Sequence, residues 1–345
     1  MLASLLAATL LAAPAPAAPA PDSTFRFVVL GHIRGGVEGD LSPRLAELLE
    51  RVRELKPQAV VLPGDIIWGE VQTVPVDSAK IEAQWNAVDS ALATLGVPVI
   101  RAPGNHDIND PVTRDAWFRR YGPLPLVTRV GPVRFISVSS AWIPKAGDSV
   151  SARRAFIRGV ALTPDQVAFL RDSLPAAGGA RQTFLVMHHL LWWEADTTAF
   201  WREVHPLLRD AHVSGVFSGD YGPLKFSWLQ RDGVHYYQNS IELPVKLPLL
   251  QNNLGSRLLS SQFDNYLEVR VTGDSVRYLV HTVAEESSGE FTPSRWRDIN
   301  QPARPAPTLL DRVLEKTGGK RRLAYALALA GAAFFVGVVL GRRRR

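Results

Sequence analysis

The sequence predicts an α/β protein. Near its start, three apolar runs of strand length (residues 25–30, 59–62 and 97–101) alternate with two segments that have helical apolar spacing (residues 41–55 and 81–95). Strands and helices that alternate in this way are typical of a largely parallel sheet covered by helices. Each of these strands also ends in a short glycine-containing loop that carries Asp, Asn or His. We therefore expect these loops to meet at one edge of the sheet.

The same pattern continues further along the chain. Residues 163–174 open with Thr-Pro-Asp, which favours a helix because proline fits the first helical position. Two later strands lead directly into polar ends, His188 and His189 in one case and Gly219 and Asp220 in the other. These two strands are predicted at residues 183–187 and 213–217, and the remaining ones at residues 133–140, 234–238, 267–271 and 276–281.

The composition limits the chemistry that the protein can perform. The chain has 345 residues, of which 46% are hydrophobic, so it has room for one large domain or two small ones. It contains no cysteine, which excludes disulfides, thiolate metal ligands and cysteine nucleophiles together. The net charge is +6, but much of this comes from the four arginines at residues 342–345, so we expect no nucleic-acid partner. The predicted domain spans residues 25–285, and a Pro-rich, basic linker follows at residues 290–322.

Both ends of the chain have the pattern of membrane-handling segments. Residues 1–17 contain a Leu/Ala run and an Ala-x-Ala pattern ending at Ala17, typical of a secretory signal peptide, although no Lys or Arg lies near Met1. A disordered Ala/Pro leader is the alternative. Residues 323–341 carry no charge and are long enough to cross a bilayer as a transmembrane helix, with residues 342–345 as a cytoplasmic tail. A signal peptide would place the domain outside the cytoplasm, anchored to the membrane.

The polar residues at the strand ends are of types that bind divalent cations. A divalent metal suits phosphoester hydrolysis, because it polarises phosphoryl oxygens and lowers the pKa of a bound water. The leaving alkoxide needs a proton, so His106 is a candidate general acid, with Asp107 as its orienting group. Taken singly, each of these side chains could be an ordinary turn, capping or packed residue. The candidate metal ligands are His32, Asp65, Asn105, His188 and Asp220.

The order of these motifs resembles that of the calcineurin-like metallophosphoesterase family. The sequence GNHD at residues 104–107 matches the family's Gly-Asn-His-Asp/Glu block, and GD at residues 64–65 resembles its second block. The sequence VMHH at residues 186–189 resembles its lone-histidine block, and SGDYG at residues 218–222 lies where the family has Gly-His-x-His. The resemblance implies a four-layer α/β sandwich with two mixed β-sheets.

The resemblance also implies roles for individual residues. Asp65 would bridge two metal ions, Asn105 and His188 would bind the second ion, and His106 would protonate the leaving group. His189 is the alternative to His188, because neighbouring residues of a strand face opposite ways. The implied cofactor is a divalent ion of Mn, Fe or Zn.

Two of the blocks depart from the family pattern. Asp-x-His in the first block is replaced here by His32 and Arg34, and the last block has Gly222 where a histidine is expected. A guanidinium does not coordinate a cation and glycine has no side chain, so one metal position loses two ligands. We therefore predict one bound ion, with two as the alternative, and expect Arg34 to replace the charge of the other ion and to hold the phosphate. The position that remains keeps a full ligand set: Asp65, Asn105, His188 and Asp220.

The predicted function is metal-dependent hydrolysis of a phosphomonoester or phosphodiester outside the cytoplasm. The alternative is a catalytically degenerate domain that binds a phosphorylated ligand or a partner at the membrane surface, which Arg34 and Gly222 favour. A purely structural membrane-tethered module is a third hypothesis. The sequence leaves the substrate and the oligomeric state open.

Overall fold

The computed structural model describes residues 24–71, 75–141, 160–176, 178–193, 197–219, 225–241, 258–261, 264–282 and 289–290. The predicted signal peptide, the linker after residue 290, the predicted transmembrane helix and the arginine tail lie outside these residues, as does Asp220. Within the described ranges, no helix is both long and apolar enough to cross a bilayer.

Two β-sheets form the centre of the fold. The strands of the first sheet are β1 (Phe25–Val29), β2 (Ala59–Pro63), β3 (Val99–Ala102), β11 (Asn265–Thr272), β12 (Ser275–Thr282) and β13 (Gly289–Glu290). They lie in the order β13–β12–β11–β1–β2–β3. Strands β1, β2 and β3 run parallel, whereas β11 pairs antiparallel with both β1 and β12, so the sheet is mixed.

The second sheet is also mixed. Its strands are β4 (Leu126–Val130), β5 (Val133–Ser137), β6 (Gln182–Val186), β7 (Gly215–Ser218), β8 (Phe226–Arg231), β9 (Val234–Asn239) and β10 (Leu258–Ser261). They lie in the order β10–β8–β9–β7–β6–β5–β4. Strands β5, β6, β7 and β9 run parallel, and β4, β8 and β10 pair antiparallel with their neighbours. The expectation of two mixed sheets is confirmed.

Helices cover the outer face of each sheet. They are α1 (Leu45–Leu55), α2 (Ser78–Ala93), α3 (Pro111–Tyr121), α4 (Pro164–Ser173), a π-helical turn (Phe200–Val204) and α5 (His205–Asp210). Leu62 of the first sheet belongs to one buried cluster with Trp85 of α2 and Trp117 of α3. Leu185 of the second sheet belongs to another with Leu170 of α4. The fold therefore has the layer order helix, sheet, sheet, helix.

Aromatic rings fill the space between the two sheets. The ring of Phe27 on β1 lies 5.0 Å from the rings of both Phe135 and Phe184, and 5.8 Å from that of Phe217, measured between centroids. All four side chains are fully buried. Aromatic pairs at these separations contribute about 0.5–1.5 kcal/mol each beyond their buried area, so this cluster holds the sheets face to face.

At one end of the sheets, the loops that follow β2, β3 and β6 are packed against one another. Gly64 has a φ of +83°, and a Cβ built there would lie 2.6 Å from both His188 Nδ1 and the backbone nitrogen of Gly104. A Cβ built at Gly104 would lie 2.1 Å from Asp65 Oδ1. Such contacts leave no room for a larger residue, so glycine lets the three loops approach closely.

We expect Gly104→Ala to lower the free energy of unfolding by about 2 kcal/mol, because the added methyl group must displace the Asp65 carboxylate. The matched control is Gly36→Ala, since a Cβ at that position meets no heavy atom within 4 Å. Urea unfolding of both variants measures the difference. Equal effects of the two substitutions would show that the loops are not tightly packed.

Candidate functional site

Asp65 lies at the centre of the site, directly after β2, and its side chain is buried. Its Oδ2 is 2.8 Å from His32 Nε2 and 3.8 Å from His106 Nε2, and its Oδ1 is 3.2 Å from His188 Nε2. Oδ1 also accepts the backbone N–H of His106 at 3.1 Å. Burial alone would raise the pKa of Asp65, but the three imidazoles outweigh it and hold the pKa well below its ordinary value. The site is thus built around a buried, ionised carboxylate.

His188 is oriented by the backbone. Its Nδ1 donates a hydrogen bond to the carbonyl of Pro63 at 2.9 Å, which places Nε2 on the side of Asp65. Metal-binding histidines commonly have such an anchor on the other ring nitrogen. Two ligand atoms that share a cation at ordinary bond lengths stand about 3.0–3.4 Å apart. The 3.2 Å between His188 Nε2 and Asp65 Oδ1 fits that spacing, and the structure places His188, not His189, beside Asp65.

Asn105 lies in the loop after β3 and is buried. Its Oδ1 is 3.1 Å from His189 Nε2, and His189 Nδ1 is in turn 3.0 Å from Ser140 Oγ. The amide nitrogen, Nδ2, is buried and has no hydrogen-bond partner in the part of the chain that the structure describes. Leaving a buried polar group unsatisfied costs about 1–3 kcal/mol, so one end of this amide is suited to a ligand.

Arg34 lies against the other oxygen of Asp65. Its Nε is 3.4 Å from Asp65 Oδ2 and donates a hydrogen bond to His32 Nε2 at 3.1 Å. Its guanidinium carbon is 4.9 Å from the centroid of the Trp68 ring, which is a cation–π contact. His32 Nε2 therefore faces both Arg34 and Asp65, and a fixed positive charge lies where the sequence departs from the family pattern.

His106 is held by Trp68. Its Nδ1 donates a hydrogen bond to the carbonyl of Trp68 at 2.7 Å, and the centroids of the two rings are 4.9 Å apart. Burial lowers the pKa of His106 to about 4; the Asp65 carboxylate opposes this fall, whereas Arg34 adds to it. The imidazole is therefore neutral at pH 7 in this state, with the proton on Nδ1 and with Nε2 on the side of Asp65.

Asp107 does not have the orienting role that we expected for it. Its Oδ1 accepts the backbone N–H groups of Ile66 at 2.9 Å and Ile67 at 3.1 Å, and its Oδ2 accepts that of Gly104 at 2.8 Å. Burial and the neighbouring carboxylate raise the pKa of Asp107 to about 7, against these three donors. The side chain ties the loop after β2 to the loop after β3, and the contact that orients the candidate general acid comes from Trp68.

Sequence reasoning missed Trp68 and Ser140. Trp68 holds the ring of His106 through its backbone carbonyl. Every residue carries such a carbonyl, so the sequence holds no signal for that contact. Its ring could have been noticed as an aromatic three residues after Asp65. Ser140 lies just beyond the end of β5, and its hydroxyl accepts the backbone N–H of His189 at 2.8 Å. A polar residue at the end of a buried strand was the available signal.

The side chains present fit a divalent cation only when an amide is counted with the carboxylate and imidazole ligands. In the described ranges, no three His, Asp or Glu side chains are grouped so that they could hold a metal ion. The donors that fit are the Asp65 carboxylate, the His188 imidazole and the Asn105 amide, which suit ions such as Mn, Fe or Zn. Asp220 lies outside the described residues. Gly219, just before it, packs so closely on the last residue of β2 that an added Cβ would lie 2.5 Å from the carbonyl oxygen of Pro63.

Solved structures similar to this chain include three with the same fold. A purple acid phosphatase from yellow lupin (Lupinus luteus) seeds matches with a TM-score of 0.55 and 12% identity, over 79% of this chain and 54% of that chain. The present chain therefore spans about half the length of that protein. A dimetal phosphatase from Danio rerio matches with a TM-score of 0.54 and 12% identity, over 78% of this chain and 99% of that one. GAP50, the anchor in the inner membrane complex of Plasmodium, matches with a TM-score of 0.52 and 12% identity, over 78% and 89%.

At the level of sequence, no curated protein matches this chain. The family model for calcineurin-like phosphoesterases, however, matches residues 26–221, which include the loops after β1, β2, β3 and β6 that form the site. More than half of the chain lies within this match. The protein therefore belongs to the calcineurin-like phosphoesterase family.

Proposed function

We propose that this protein is a metal-dependent hydrolase of phosphomonoesters or phosphodiesters. The observation that carries the proposal is the buried Asp65 carboxylate, which faces the backbone-anchored His188 with one oxygen and Arg34 with the other. Phosphoryl transfer needs positive charge next to the phosphoryl oxygens as the leaving group departs. A cation on the His188 side and the guanidinium on the other would supply it.

The ligands of one cation would be Asp65, Asn105 and His188, with Asp220 as a fourth. When bound, the ion would polarise a phosphoryl oxygen and lower the pKa of a water. Arg34 would take the place of a second ion, because its planar group can bind two phosphate oxygens at once and keeps its charge. Its contacts with Asp65, His32 and Trp68 support this role, since they hold it beside the ligand side chains.

His106 would donate the proton that the leaving alkoxide needs. The Trp68 carbonyl holds Nδ1, so Nε2, which lies 3.8 Å from Asp65 Oδ2, is the ring nitrogen that would donate the proton. A phosphate dianion next to this ring would raise its pKa from the low value that burial imposes, so that the substrate itself would favour the protonated form. Asp65, 3.8 Å from Nε2, adds to that effect.

We expect the protein to hydrolyse p-nitrophenyl phosphate or bis-p-nitrophenyl phosphate when Mn²⁺, Fe²⁺ or Zn²⁺ is added. His106→Asn should lower kcat by about 10²–10⁴-fold, because the side-chain amide can still bind the Trp68 carbonyl but cannot act as the acid. His212→Asn, at an exposed turn, is the control. Full activity of His106→Asn, or no activity with any metal, would contradict hydrolysis and favour the degenerate ligand-binding domain.

Arg34→Lys should raise the inhibition constant of inorganic phosphate by about 10-fold and Arg34→Gln by up to about 100-fold, because the first loses the planar fork and the second also the charge. The matched control is Arg101→Lys, since Arg101 also lies over an aromatic ring, 4.6 Å from the centroid of Tyr121.

Metal analysis of the purified protein should find about one equivalent per chain. Two tightly bound equivalents, or unchanged inhibition in both Arg34 variants, would contradict Arg34 as the replacement for an ion.

We further propose that the domain acts outside the cytoplasm and is anchored by residues 323–341. The support is the signal-like pattern of residues 1–17 and the uncharged run that basic residues flank on both sides. The full-length protein should stay with membranes through a carbonate wash, and its first residue should be Ala18. Recovery in the soluble fraction with Met1 retained would contradict this location.

A further inference from the structure

A chain of contacts runs from Ser140 through His189 to Asn105, which is one of the candidate ligands. Ser140 Oγ accepts the backbone N–H of His189 at 2.8 Å and lies 3.0 Å from the Nδ1 of the same residue. His189 Nε2 then lies 3.1 Å from the side-chain oxygen of Asn105. Ser140 therefore contacts both the backbone and the ring of His189, and Nε2 of that ring contacts the side-chain oxygen of Asn105.

In this arrangement the Asn105 amide faces the wrong way for a cation. Its oxygen is engaged by His189 Nε2, whereas its nitrogen is the buried atom that has no partner among the residues that the structure describes. A half-turn of the side-chain amide exchanges the two atoms. The oxygen then occupies the unsatisfied position, where it can bind a cation, and the amide N–H faces His189.

The half-turn is favourable only for one tautomer of His189. An amide N–H needs an acceptor, so Nε2 must then carry a lone pair and the ring proton must lie on Nδ1. Ser140 Oγ lies 3.0 Å from Nδ1 and can accept a hydrogen bond from the Nδ1–H. In the opposite tautomer, the Nε2–H of His189 donates a hydrogen bond to the Asn105 oxygen. The amide N–H groups of Asn105 would then face the cation position, where their partial positive charge would repel a cation.

We propose that His189, held by Ser140, is the positioning residue that turns the Asn105 oxygen toward a bound divalent cation. The proposal rests on the proposed function only in taking Asn105 as a ligand. It gives His189 a role distinct from that of the neighbouring His188, whose Nε2 faces Asp65. Removing a hydrogen-bond partner that orients a metal ligand typically changes metal affinity by about 10–100-fold.

Nitrogen-15 NMR of the full-length protein labelled at histidine tests the tautomer without any substitution. In the Zn²⁺-loaded protein, His189 should carry its proton on Nδ1, with Nε2 showing the shift of a bare ring nitrogen. A proton on His189 Nε2 in the loaded protein would overturn the proposal.

Calorimetric titration with Mn²⁺ gives a second readout that does not involve activity. His189→Phe keeps the ring but removes both nitrogens, and should raise the Kd for Mn²⁺ by about 10–100-fold. His189→Gln, which restores an acceptor, should recover part of the affinity, and His212→Asn should match the wild type. Thermal melting of each variant separates loss of the contact from loss of the fold.

The outcomes also separate this proposal from the proposed function. If the wild type binds Mn²⁺ and a folded His189→Phe binds it equally well, the positioning role is wrong and the metal site stands. If the wild type binds neither Mn²⁺ nor Zn²⁺, both the metal site and the positioning role are wrong.

Discussion

A carboxylate out of contact with water stays ionised only where positive charges and N–H donors face it, because removing its hydration costs several kcal/mol. Asp65 is in this position. The positive charge of Arg34 comes to it from the loop after β1 and the backbone N–H of His106 from the loop after β3. The imidazoles of His32 and His188 lie 2.8 and 3.2 Å from its two oxygens. One buried charge thus fixes the relative positions of segments that are more than 150 residues apart in the chain. His188 Nε2 and Arg34 Nε lie on opposite oxygens of this carboxylate.

The sequence predicted the central strands well because they are buried on both faces and read as uninterrupted apolar runs. The strand predicted at residues 59–62 is β2, for example, one residue longer in the structure. The edge strand β4 was missed, since all five of its side chains are exposed or half-buried and it pairs with one neighbour. Helix α3 was also missed, because few of its side chains are buried and its arginines bind Glu82 of α2. Its capping Asp110 and first-turn Pro111 were a signal for it.

For the site, residue types and chain order indicated which strand ends carry the polar groups, and Asp65, His32 and His188 do lie together. What the sequence could not supply was the direction of each side chain within its loop. Asp107 is adjacent to His106 in the chain, yet it turns toward three backbone N–H groups. Contacts of this kind depend on backbone atoms, which are the same at every position and leave no trace in residue identity. Whether Asp220 joins the ligands remains a prediction.

Arg34 has a consequence for how the site behaves in a changing environment. A cation can be stripped by a chelator, displaced by a competing metal or lost when supply is short, and its charge leaves with it. A guanidinium is covalently part of the chain and stays protonated throughout the pH range in which proteins fold. Part of the positive charge beside Asp65 is therefore fixed covalently in the polypeptide and does not depend on the supply of metal ions. Metal starvation would leave this pocket preassembled, with its carboxylate still paired.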